Sequence, residues 1–144
     1  MRKTLIAIAA ITLPALQPAG AAAQEFDSGW RRIAPAALGD LELNGGGVRL
    51  NNFVLARADQ AREGQPVALY SFSATAVKQT EARRSVRVEL VGVNAEREPT
   101  VTAALVFNMA ATQPNRTAMD THRFPVRPAD LEATDAFFIR VMIP

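Results

Sequence analysis

Asp120 and His122 stand two residues apart in the stretch AMDTHRFPVRP, and they are the nearest this chain comes to a reactive pair. On a strand, that spacing puts both side chains on one face. Three chemistries could use such a pair, and each lacks a part. A Ser–His–acid hydrolase needs a nucleophile raised on a Gly-x-Ser-x-Gly turn, and no such string occurs. A catalytic zinc centre takes three protein ligands, often two or more of them His, but the chain has a single His. Asp130, Glu132 and Asp135 could add oxygens for calcium, without the alternating Asp/Asn-Gly spacing of a calcium loop. A glycosidase needs two carboxylates across a groove. Glu89 on a strand, and Glu96 and Glu98 beside Arg97 in a loop, read instead as solvated charges. Gly45–Gly47 is not a phosphate loop, because no Gly-Lys-Ser/Thr follows it. With no Cys there is no thiol nucleophile, thiolate metal site or redox switch. The expectation is a protein that is not an enzyme and carries no cofactor or metal.

What remains are residues suited to contact. SVRVELVGVN, Ser85 to Asn94, places Val86, Val88 and Leu90 on one side and Arg87 and Glu89 on the other. Val91 and Val93 then make that second side apolar too. Such a strand is buried on its inner face and covered on part of its outer one, and Gly92 permits a close approach. The cover is either the N-terminal segment with Trp30, read as a packing plug, or another protein. Lys78, Arg83, Arg84 and Arg87 form the one local basic cluster, with Glu81 inside it. It reads as a solvated turn plus one exposed strand position, with an acidic-partner patch as the functional alternative. The residues assigned to a partner surface are Tyr70, Phe72, Arg84, Arg87, Val91 and Val93. A second reading holds a small apolar or sugar ligand between the sheets with Trp30, Phe53 and Tyr70.

These residues need a scaffold of short strands. LELNGGGVRLNNFVLARAD reads as strand, Gly turn, strand, with Val48 and Leu50 inward and a bulge at Asn51-Asn52. VALYSFSATAVKQ is apolar on both faces, as in a central strand. TVTAALVFNMA turns Val101, Ala103, Leu105 and Phe107 to one side. The strand through His122 contains Pro125 and so belongs at an edge. ADLEATD reads as one helical turn. AFFIRVMIP closes the domain, with Phe137, Ile139, Val141 and Ile143 on one face and Phe138 and Met142 on the other. No long stretch has a helical period. The fold class is all-β: a single antiparallel immunoglobulin-like sandwich of about seven strands. It spans residues 41–144 after an arm at 24–40.

LYSFSATAVKQT, RRSVRVELVGVNAERE and LVFNMAATQPNRTAMDTHRF follow one another in an order that resembles exported immunoglobulin-like domains of the FxLYD kind. The resemblance covers Tyr70 to Phe124 and rests on strand order. Lys78 stands where those domains carry Asn at the first turn, and the FxLYD string itself is absent. The resemblance implies a sandwich and no catalytic residues.

The first residues follow the plan of a secretory signal peptide at 1–23. Arg2 and Lys3 precede an apolar run from Leu5 to Leu16, and Ala21-Ala22-Ala23 offers a cleavage site. That run is too short for a stable membrane span. The expected location is periplasmic or secreted, and the Arg-rich composition reads as bacterial. Cleavage would remove 23 of the 144 residues and two of the 16 Lys plus Arg. Fourteen cations then balance 14 Asp plus Glu, so the basic pI is no argument for nucleic acid. The partner expected is another exported protein.

Overall fold

The computed structural model describes residues 25–144; the expected signal peptide lies outside the described residues. The chain forms β1 (Phe26–Asp27), β2 (Arg31–Ile33), β3 (Leu43–Gly45), β4 (Val48–Arg57) and β5 (Ala68–Lys78). β6 (Arg84–Val93), β7 (Pro99–Met109), β8 (Arg116–Val126) and β9 (Ala136–Ile143) follow. A 3-10 turn spans Pro35–Ala37, and a short helix, α1, spans Pro128–Glu132. Among the described residues no helix is long and apolar enough to cross a membrane.

The strands make two antiparallel sheets. One runs β1-β9-β6-β7, with β2 also on β9, and the other runs β3-β4-β5-β8. Leaving the arm aside, β4, β5 and β8 face β9, β6 and β7 in the pairing order of an immunoglobulin-like sandwich. β1 and β2 occupy the flank of β9 where the last strand of such a domain would run. The arm is thus part of a sheet rather than a segment laid over one.

Period-two alternation supplies the core between the sheets. Val86, Val88 and Leu90 of β6 are fully buried, with Leu105 and Phe107 of β7 and Ile139 and Val141 of β9 beside them in the core. The facing sheet contributes Val48, Leu50, Phe53, Phe72, Ala74 and Ala76, and the Phe53 and Phe72 rings stack with centroids 6.2 Å apart. Each of the Val, Leu, Ile and Phe side chains contributes about 1.5–3 kcal/mol on burial, which is how a chain without disulfides holds its layers together. The expected bulge is present. The register shifts between Asn51 and Val54, and Asn52 takes the left-handed conformation, φ 53°. Strict alternation would send Leu50 inward and Phe53 outward; the extra residue turns both inward.

Gly92 is needed for closure. A Cβ there would lie 3.0 Å from the Phe137 ring and 3.1 Å from Thr134, so the end of the sandwich below α1 seals against bare backbone. Gly45 does the same at the opposite end, where the Phe26 ring occupies the space a Cβ would need. Phe26, not Trp30, is the plug of the arm.

The surface reading of the Lys78 cluster is corrected. Lys78 is fully buried at the end of β5, on the inward face. Its Nζ donates to the carbonyls of Ala110 at 2.5 Å and Thr112 at 3.0 Å, and more distantly to the Glu81 carbonyl. A charge is tolerated inside because carbonyl oxygens surround it. The ammonium ties the β5–β6 turn to the β7–β8 loop.

Candidate partner-binding face

The outer face of the five-stranded sheet is where the sequence-predicted residues meet. β6 runs through its middle, with Arg87, Glu89, Val91 and Val93 pointing away from the core. Register fixes their neighbours. Val91 lies between Phe138 of β9 and Thr102 of β7, and Phe138 pairs in turn with Arg32 of β2. Glu89 lies between Arg140 and Ala104, and Arg87 between Met142 and Val106.

Charges on this face are matched locally. Arg87 Nε donates to Glu89 Oε1 at 2.8 Å. Arg140 Nε and Nη2 donate to the two oxygens of Asp27, joining β9 to the arm. That hydrogen bond from Arg140, with a second from the Gly29 backbone N–H, lowers the Asp27 carboxyl to about 2. The same contact raises Arg140 above its ordinary value. Arg32 reaches Asp135 at 3.3 Å. With the ions paired, the distinctive surface is apolar. Trp30 is 48% exposed and Val106 46%, and Val91, Val93, Phe138 and Met142 are half-buried among them.

Three hollows interrupt the face. One of about 750 Å³ lies where β1 meets the end of β9, between Phe26, Arg87, Val106, Met142 and Pro144. A second, about 580 Å³, is bordered by Arg32, Val93, Asp135 and Phe138. The third, about 430 Å³, is bordered by Trp30, Val91, Thr102, Ala104 and His122. His122 arrives there from the opposite sheet, because the outer edges of β7 and β8 run close together. Asp120 accepts the Val106 N–H at 2.8 Å across that gap, and the His122 ring stacks on Phe124. Asp120 and His122 therefore serve an edge contact and a ring contact. Among the described residues no group of three or more acidic or His side chains converges as a metal site.

Of the six residues assigned to a partner surface, Arg87, Val91 and Val93 share this face. Phe72 is fully buried against Phe53 in the core, so no partner reaches its side chain. Arg84 is 7% exposed, and its guanidinium is used by the carbonyls of Gly46 at 2.7 Å and Arg83 at 3.0 Å. Both assignments are withdrawn. Tyr70 sits half-buried on β5, in the other sheet, packed against the core. Trp30, Phe53 and Tyr70 do not form one ligand cavity either: Trp30 borders the outer hollow, Phe53 is core and Tyr70 flanks the core on β5. Trp30, Phe138, Met142 and Val106 join the face instead. The signal for Phe138 and Met142 was the second apolar side of the closing strand. A scan of protein-family models finds no match to this chain, and no curated protein matches it.

Proposed function

We propose that the protein is an exported, non-enzymatic binding module of the immunoglobulin-like kind that its strand order resembles. Its ligand is another periplasmic or secreted protein, and the contact is the outer face around Arg87, Val91 and Val93. One observation carries the reading. A sheet face turned to solvent ordinarily alternates to polar residues, whereas this one presents Trp30, Val91, Val106, Phe138 and Met142 around paired ions. Continuous exposed apolar surface marks interaction sites. The test is capture of partners by the mature protein, tagged at its C-terminus, beside Val91→Asp and Val106→Asp. One exported protein retained by the wild type and lost from both folded variants supports the reading. Identical partner sets from all three refute it.

The hollow between Trp30 and His122 favours a second reading, a small ligand stacked on the indole. Its volume of about 430 Å³ falls in the range of small-molecule sites. Titration of Trp30 fluorescence with neutral sugars and aromatic solutes checks it; an unchanged spectrum across the panel dismisses it.

A further inference from the structure

β4 is only half partnered on its outer side. β3 pairs with Val48, Arg49 and Leu50 and then ends, while β4 runs on to Arg57. On the other side β5 continues to pair through Arg57. The Ala58 N–H donates to the Leu69 carbonyl of β5 at 2.7 Å. Alternate residues of an antiparallel ladder point their N–H and C=O to opposite sides, so Leu55 and Arg57 direct theirs away from β5. Among the described residues no backbone or side-chain group bonds them.

The other edges are closed or blunted. Asp120 takes the Val106 N–H on β7. β8 carries Pro125, Arg116, Asp120 and Arg123, residue types that deter strand pairing. β1 and β2 span only two and three residues. By contrast, Val54–Arg57, where regular pairing resumes after the bulge, has no Pro and one charge, Arg57, which Asp59 holds at 2.8 Å. This straight part of the edge is about 13 Å long at the usual rise per residue. Beside it lies an apolar groove of about 430 Å³, lined by Val54 and Leu55 of β4 together with Pro35, Leu38, Leu131 and Phe137.

We infer that this edge receives an extended, flexible segment of the partner protein, added as a further strand beside β4 with one aliphatic side chain in the groove. This rests on the binding-module reading and names a second contact for it. The occupant follows from the geometry. The orphan N–H and C=O groups of Leu55 and Arg57 match an extended backbone. The groove's apolar walls suit an aliphatic side chain and leave a charged one unpaired.

The probe is a capped octapeptide alternating Leu with Thr, compared with one in which Pro replaces each Thr. Amide exchange and chemical shifts of the full mature protein are read by NMR. The expected result is at least about tenfold slower exchange at Leu55 and Arg57 with the first peptide, and shifts at Leu38 and Leu131. Neither change should occur with the Pro-containing peptide. Val54→Lys, at a side chain already 49% exposed on this edge, should weaken the effect when the peptide carries a terminal Lys and not when it carries Glu. Three outcomes overturn the inference: slow exchange at both amides in the free protein, shifts confined to the Val91 face, or protection that grows with protein concentration alone. The last would mean pairing between copies. None of these depends on the Val91→Asp and Val106→Asp captures, so failure here is separable from failure of the binding module.

Discussion

Lys78 is the side chain whose chemistry departs most from its apparent place in the chain. Its ammonium is enclosed by the oxygens of Ala110, Thr112 and Glu81. Lys78→Met keeps the aliphatic stem and strands those carbonyls. The expected loss is roughly 3 kcal/mol, the order for removing a charged partner from buried acceptors, read as a lower urea midpoint at constant slope. Asp27 offers a residue-scale prediction in pH. Its folded-state carboxyl titrates near 2 rather than at the ordinary 3.8. A depressed carboxyl stabilises the folded state above its unfolded value, and that contribution disappears as pH falls through the folded one. The arm should therefore loosen between about pH 4 and pH 2. Trp30 emission should follow that transition, and Asp27→Asn should flatten it.

At the scale of elements, the arm is held by one plug and one ion pair. Gly45→Ala puts a methyl where the Phe26 ring lies. Overpacking of this kind costs about 1–3 kcal/mol. Combined with Phe26→Ala, the same substitution should cost much less, and a thermal-melt double-mutant cycle measures the difference. The strands themselves were readable because their patterns are local. Val86, Val88 and Leu90 alternate without interruption, and the Asn51-Asn52 pair marks the bulge. Pro125 identifies β8 as an edge. What escaped local reading depends on distant partners. β5 is apolar on both sides, so alternation alone cannot say whether Leu69 or Phe72 faces the core; the facing sheet decides. Lys78 meets acceptors 32 and 34 residues away. Arg84 is withdrawn from solvent by the Gly46 carbonyl, 38 residues earlier. The candidate face was half legible for the same reason. Its β6 residues announce themselves, while Trp30 reaches the hollow beside Val91 only because the adjoining β2 pairs with β9, over a hundred residues further along the chain.

For the molecule as a whole, three of the seven antiparallel strand pairs among the described residues join chain neighbours, and of the rest the arm closes the largest loop, Phe26 against Ile143. Non-local closure of this kind is slow to form, so arm docking should follow assembly of the body. In stopped-flow refolding, Trp30 fluorescence should lag behind the far-UV signal of the sheets. The pairing also has a mechanical meaning. Phe26 and Ile143 sit side by side in an antiparallel ladder, so a load applied at those two points pulls their strands apart sideways. The bonds from β1 and β2 to β9 then break one after another, as in a zipper, instead of sharing the load. Tension between these points should peel the arm at low force, well before the sandwich yields.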